Sequence, residues 1–464
     1  MVTIRDLMTE PELFGNHFGG DSWVAWRGLL SGFYGLEMTD QLEIDIFREI
    51  TKRKELPSAP HDELWLPIGR RGGKSNISAL LAIYEAIFND HQAKLAPGEM
   101  ATVLVLAADR KQARVVFRYI SGLLNGNPMF KAMVVREDKE AIELNNRCNI
   151  EVGTASFRAV RGYSLACIIC DEIAFWRNEE SANPDTEILN ALRPAMATLG
   201  GKLIALSSPY AKKGELYQNY RRYFGRNDAE ILVAQAPTER MNPNLDRKII
   251  RKAFERDPEA SKAEYGAQFR NDIESFVSRE VVDACVFPGR YEIPFIREFK
   301  YTAFVDPSGG SSDAMTLAVA HREGGVVVLD AVREVKPPFS PESVVKDFAE
   351  LLKSYGISTV SGDRYAGEWP RERFREHGVN YEVAPKPRSD LYRDLLPRLN
   401  SRTVELLDHE KLITQLCSLE RRTSRGGRDS IDHAVGAHDD LANAVAGVVA
   451  VTESHTIIDY SKIL

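Results

Sequence analysis

Between residues 62 and 235, five short apolar runs alternate with longer stretches of helical periodicity: LWLPIG (64–69), ATVLVLAA (101–108), LACIIC (165–170), KLIALSS (202–208) and AEILVAQ (229–235). Each run is continuous rather than alternating, as strands of a parallel sheet are when helices cover both faces. The first half of the chain therefore reads as α/β. The 464 residues leave room for about three folding units. No repeat at 20–50 residue periods and no low-complexity segment interrupts them.

The segment 244–272 follows an Asn242-Pro243 turn and is charged and helical in pattern, so that 244–280 reads as a helical linker subdomain. Beyond it YTAFVDPS (301–308), MTLAVAHR (315–322) and GVVVLDAV (325–332) stand at hairpin spacing, with Gly324-Gly325 between the last two. A helical stretch (341–355), the run STVSGD (358–363) and a final helix near 437–452 complete the pattern. A three-strand meander followed by strand and helix alternation fits a ribonuclease H-like sheet. The expected architecture is an α/β phosphate-loop domain over 1–243, the linker over 244–280 and a ribonuclease H-like domain over 281–464.

PIGRRGGKSNISALLA (67–82) sets Gly72, Gly73, Lys74 and Ser75 between a strand and an amphipathic helix. In that context glycines let backbone N–H groups approach the phosphates of ATP, Lys74 neutralises them and Ser75 holds magnesium. The loop departs from the standard spacing, because Ile68 occupies the first glycine position and Gly69 comes one residue late. Some ninety residues on, LACIICDEIAFW (165–176) ends an apolar strand in Asp171 and Glu172. At the carboxyl end of a parallel strand Asp171 is placed to hold magnesium and Glu172 to orient and activate water, so the pair points to ATP hydrolysis. Cys167 and Cys170 form a CxxC, but residues three apart on a strand face opposite ways and share a metal poorly.

Acids recur in the second half: Asp306 closes FVD, Asp363 closes TVSGD, and Asp439 with Asp440 stands in AVGAHDDLANAVAG. Three separate segments delivering carboxylates to strand ends or a helix start match the needs of phosphodiester hydrolysis by two magnesium or manganese ions roughly 4 Å apart. Asp313 is a possible accessory ligand or a turn residue. The chain carries −7 overall, so any nucleic-acid contact is local. From Lys386 to Arg428 ten bases face six acids, and RRTSRGGR supplies Arg421, Arg422, Arg425 and Arg428 as candidates for tracking DNA phosphates. Five scattered cysteines argue against a disulfide framework. The N-terminal residues lack a basic start and apolar core, so no secretory signal is expected, and no apolar run approaches the roughly 18 residues of a membrane span.

The arginine-rich phosphate loop (Arg70, Arg71), the segment SFRAVRGYS (156–164) and the strand exit Ser207-Ser208-Pro209 together resemble the large terminase subunit of tailed double-stranded DNA bacteriophages, over roughly residues 60–450. That resemblance implies a DNA-packaging ATPase with a metal-dependent endonuclease. It implies that Arg71 or Arg161 meets the transition-state charge, that Ser207, Ser208 and Pro209 couple hydrolysis to DNA movement, and that Gln41, the sole glutamine before the loop, contacts adenine. It also favours Asp440 as inner metal ligand, with Asp439 and His438 beside it. The partners implied are duplex DNA, a small terminase subunit, a portal protein and further copies in a ring, with no membrane, in the host cytoplasm. The rivals are a repair helicase-nuclease, which needs helicase motifs between 210 and 300 that are not seen, and a nucleotide-gated structural adaptor without cleavage.

Overall fold

The computed structural model describes residues 2–155, 162–176, 184–270, 272–310, 313–363, 369–423, 429–434 and 437–454. The chain divides into two compact units, one of residues 1–178 and 183–271, the other of residues 179–182 and 272–464.

The first unit is built on eight strands: β1 (Glu63–Pro67), β2 (Ala101–Ala107), β3 (Val134–Glu137), β4 (Ala141–Leu144), β5 (Cys148–Thr154), β6 (Ser164–Asp171), β7 (Lys202–Ser207) and β8 (Ile231–Val233). Their order is β3-β4-β5-β2-β6-β7-β1-β8. From β5 to β8 every pairing is parallel, and β3 and β4 add an antiparallel edge. The continuous apolar runs are the central strands, buried on both sides. Leu64, Leu66, Val103, Val105, Cys167 and Ile169 enter one apolar layer, while Trp65, Leu104, Leu106, Ile168 and Cys170 enter the other. The thiols of Cys167 and Cys170 thus point into opposite layers. Because β7 lies between β1 and β6, the carboxyl ends of all three strands converge at one rim of the sheet.

The helices Arg247–Arg256 and Pro258–Glu264, which the sequence places in a linker, belong to this first unit. They return to the phosphate loop: the Arg70 N–H bonds Glu264 O, and the Arg70 guanidinium pairs with the Glu264 carboxylate at 3.1 Å.

In the second unit β9 (Ile273–Ser275) joins β16 (Leu419–Thr423) and β17 (Asp429–His433) in a small antiparallel sheet. The main sheet holds β10 (Tyr301–Asp306), β11 (Met315–Glu323), β12 (Val326–Val335), β13 (Thr359–Gly362), β14 (Asn380–Val383) and β15 (Val404–Glu405), in the order β14-β13-β10-β11-β12-β15. β10 to β12 form the antiparallel meander, and β13 and β14 add in parallel on the other side of β10. That is the ribonuclease H-like arrangement. Helices Arg388–Ser401, Glu410–Ser418 and Asp440–Ser454 pack over one face, Pro341–Ser354 and Trp369–Glu376 over the other. The last helix lies very close to β10: a Cβ on Gly447 would sit 2.3 Å from the Phe304 ring. This contact brings the start of the helix to the carboxyl end of β10. Among the described residues no helix is long and apolar enough to cross a membrane.

Candidate functional site

β1 runs into a loop whose first residue, Ile68, is fully buried and bridges to Ala236. The crowded position is the next one. A Cβ on Gly69 would lie 2.4 Å from Thr238 Oγ1 and 2.7 Å from Tyr265 O, so backbone approach requires glycine there. This accounts for the displaced glycine of the sequence pattern. Thr238 Oγ1 donates to Arg70 O at 2.8 Å and Asn242 Nδ2 to Arg71 O at 2.8 Å, which holds the loop from outside. From the other side Trp26 Nε1 donates to Gly72 O at 2.9 Å, and Trp23 packs against Gly73.

Lys74 opens the helix Lys74–Ile87 and is buried. Its ammonium donates to Ile68 O at 3.1 Å and Ser208 Oγ at 3.0 Å, and lies 3.3 Å from Glu172 Oε1. The other Glu172 oxygen accepts from Ser207 Oγ at 3.0 Å and from the Ser208 N–H at 3.1 Å. Glu172 adopts a left-handed backbone, φ 51°, immediately after β6. The ends of β1, β6 and β7 therefore close into one hydrogen-bonded network, with Pro209 buried just beyond it. Asp171, 2% exposed, leaves its Oδ1 without a hydrogen-bond partner among the described residues. Burial, and then the adjacent Glu172 charge, push its carboxyl up to about 7, against the pull of Lys74.

A cavity of about 550 Å³ opens here, lined by Arg70, Arg71, Gly73, Lys74, Ser75 and Glu172 from the sequence-derived set. It is also lined by Trp23, Gln112, Tyr119 and Asn242, which sequence reasoning missed because they lie outside any local motif. Gln41 is elsewhere: it is exposed, donates its amide to Asp45 at 2.7 Å and is not among the lining residues. Arg161 lies outside the described residues.

In the second unit Asp306 ends β10 and Asp363 directly follows β13, and the parallel pairing of those strands brings the two acids side by side. A single amide joins them. Asn443 Nδ2 donates to Asp306 Oδ2 at 2.9 Å and to Asp363 Oδ2 at 2.8 Å. Asn443 was not singled out from sequence, although it stands one helical turn after Asp439 and Asp440 and so shares their face. Asp439 is buried and engaged by two neighbours, Arg388 at 3.0 Å and Tyr392 OH at 2.7 Å. Asp440 lines a cavity of about 200 Å³ with Asp306, Asp313, His438 and Asp439. Asp363 is not among its lining residues.

Burial and then mutual repulsion raise the Asp440 carboxyl to about 6. Asp306 rises well above the usual range, chiefly by burial and then, against the Asn443 hydrogen bond, by the charges of Asp363, Asp440 and Asp439; burial raises Asp363 likewise. Among the described residues no three His, Cys, Asp or Glu side chains already form a cage for an ion. Arg421 is tied to Asp429, and Arg422 donates to His433 O at 3.0 Å, so both are partly spent within the β16–β17 hairpin. Arg425 and Arg428 lie outside the described residues.

A family model described as "Uncharacterized protein MJ0330, N-terminal P-loop domain" matches residues 36–267. Among curated proteins none matches this chain. Among solved structures, the HK97 bacteriophage large terminase is 17% identical, with a TM-score of 0.40 over 90% of this chain and 95% of its own. The large terminase from the thermophilic bacteriophage D6E in complex with ADP is 13% identical, with a TM-score of 0.38 over 83% of this chain and 92% of its own. The large terminase nuclease from thermophilic phage G20c with bound magnesium is 15% identical, with a TM-score of 0.34 over 38% of this chain and 98% of its own.

Proposed function

We propose that this chain, which belongs to the family described as "Uncharacterized protein MJ0330, N-terminal P-loop domain", is a DNA-packaging motor of the large-terminase type. It hydrolyses ATP to move duplex DNA and cuts that DNA with a metal-dependent endonuclease. The observation that carries the reading is the coexistence of two sites in one chain. One joins Lys74, Glu172, Ser207 and Ser208 at the rim of a phosphate-loop sheet; the other links Asp306 and Asp363 through Asn443 at the ends of β10 and β13, with Asp440, at the start of the last helix, lining a cavity with Asp306.

In the first site Lys74 meets the phosphates of ATP, and Glu172 is left as the carboxylate that orients the attacking water. The Ser207 and Ser208 contacts report the position of Glu172 to β7, which is the coupling role assigned to Ser207-Ser208-Pro209. Arg71 faces the cavity as a candidate for the transition-state charge. The unpartnered, buried Asp171 oxygen and the cavity-lining Ser75 suit magnesium, which when bound neutralises phosphate charge.

In the second unit a packed set of oxygen donors with raised proton affinity suits hard divalent cations, which supply activated water and stabilise a leaving oxygen. Asp306, Asp363 and Asp440 are the residues to hold magnesium or manganese. Asp439, engaged by Arg388 and Tyr392, orients Asp440 from behind. Duplex DNA, a small terminase subunit, a portal protein and further copies in a ring, all in the host cytoplasm, are the partners and setting of such a motor. The test is to incubate the whole chain with supercoiled plasmid, manganese and ATP. Nicking together with phosphate release is expected; the absence of both from folded protein overturns the reading.

A further inference from the structure

The helix Arg247–Arg256 (RKIIRKAFER) concentrates five bases against one acid. Arg247 and Lys248 occupy its first turn, where the helix dipole disfavours cations; the acid at that end is the N-cap Asp246, whose carboxylate accepts from the Lys248 N–H at 2.8 Å. Bases then recur four apart, 247 with 251, 248 with 252 and 252 with 256, so like charges repel by roughly 0.2–0.5 kcal/mol per pair. All five bases are exposed. Only Arg251 has a carboxylate in reach, that of Glu255 at 3.9 Å; among the described residues Arg247, Lys248, Lys252 and Arg256 have none. Some surface bases of the same unit are matched, as in Arg240 with Glu49, Arg193 with Glu63 and Lys262 with Glu259, while Arg110, Lys111, Arg114 and Arg118 on the helix Arg110–Gly126 also lack a carboxylate partner among the described residues. A stripe of about +4 on a chain of −7 is complementary to a polyanion, and of the unpaired basic helices this one is joined to the phosphate loop on both flanks.

The helix is also tied to the nucleotide site. Asn242 and Thr238, just before it, hold the carbonyls of Arg71 and Arg70, and Glu264, just after it, pairs with Arg70. We propose that the helix Arg247–Arg256 grips the phosphate backbone of duplex DNA without regard to sequence, and that this grip and nucleotide binding influence each other through Arg70 and Arg71. The proposal rests on the reading of the chain as a DNA motor, and adds the element of its ATPase unit that touches the track.

The test uses the whole chain with Arg247, Lys248, Arg251 and Lys252 all changed to Gln, a residue that keeps helix propensity. Duplex binding is followed by fluorescence anisotropy against NaCl in EDTA. ATP turnover with and without DNA is followed in an Asp306→Asn background, so that the DNA stays intact. Removing four contacts should make the slope of log K against log salt shallower by about 3 to 4, and DNA should cease to change ATP turnover. A charge-keeping exchange (Arg247→Lys, Lys248→Arg, Arg251→Lys, Lys252→Arg) should bind as the parent does. An unchanged slope and unchanged DNA response in the Gln variant overturn the helix assignment alone, as does an equal loss in the charge-keeping variant. If the parent binds no duplex even at low salt, the motor reading itself falls.

Discussion

Changing Glu172 to Gln removes one charge and almost no volume, which makes it a stringent test of the ATPase site. Glu172 Oε1 lies 3.3 Å from the Lys74 ammonium. At an effective dielectric near 20 the gross attraction is about 5 kcal/mol, much of it offset by desolvation of the two groups. A glutamine oxygen still accepts from Ser207 and Ser208, so the turn after β6 is retained, while Lys74 keeps Ile68 O and Ser208 Oγ. The neighbouring Asp171 loses the charge that helps raise it to about 7, and its carboxylate becomes easier to form. Nucleotide with magnesium should therefore bind at least as well as in the parent. What disappears is the base that orients water, a contribution of roughly 10²- to 10⁴-fold, or about 3 to 5 kcal/mol in the barrier. Phosphate release should fall by that factor while equilibrium binding of a fluorescent ATP analogue persists. Turnover within about threefold of the parent would refute the assignment of Glu172.

Three further outcomes are expected. Asp306→Asn, Asp363→Asn and Asp440→Asn should each abolish manganese-dependent plasmid cleavage and retain ATPase activity, with Asp439→Asn less damaging than Asp440→Asn; gel analysis across manganese concentrations decides the order. Asp440, raised to about 6, and Asp306 and Asp363, also raised, bind protons more tightly folded than unfolded. Their stabilising contribution is thus full below about pH 4 and is lost as pH rises through 6 and beyond, so metal-free protein should lose thermal stability over that range and manganese should restore it. A denaturation series that is flat with pH, or indifferent to manganese, would contradict the cluster. Gly447→Ala places a Cβ 2.3 Å from the Phe304 ring and should destabilise the second unit by roughly 1–3 kcal/mol in urea unfolding, with cleavage weakened as the last helix shifts.

The parts legible in sequence are those where local pattern and burial coincide. β2, β6 and β7 are apolar through their middles because both faces are covered, and their continuous runs announced them. β4 and β5 bury only alternate residues and carry charges and amides between, so CNIEVGT gave no such run. The loop lysine and the acids at the end of β6 were readable because each stands in an unbroken motif that begins at a strand exit. The attachment of Arg70 to Glu264 was not, since a contact across 194 residues leaves no local trace. Asn443 was missed for another reason: an amide between two carboxylates has no charge of its own to draw notice. Of the arginines that the sequence offers for tracking DNA phosphates, Arg421 and Arg422 are partly occupied by their own hairpin, a pairing no local motif announces.

The tryptophans around the phosphate loop make the first unit self-reporting. Of five in the chain, Trp23 lines the nucleotide cavity, Trp26 bonds the carbonyl of Gly72, and Trp176 donates to Asp171 O at 3.0 Å. Trp26 and Trp176 are sealed from water while Trp23 is only half-buried, so of these three its emission is the one open to quenching or shielding at the mouth of the cavity, over a constant background from the half-buried Trp369 of the second unit. Occupancy of the loop can thus be followed optically in the unlabelled protein, with Trp23→Phe as the variant that silences the signal. No dye need be attached to a chain whose cysteines are almost all buried.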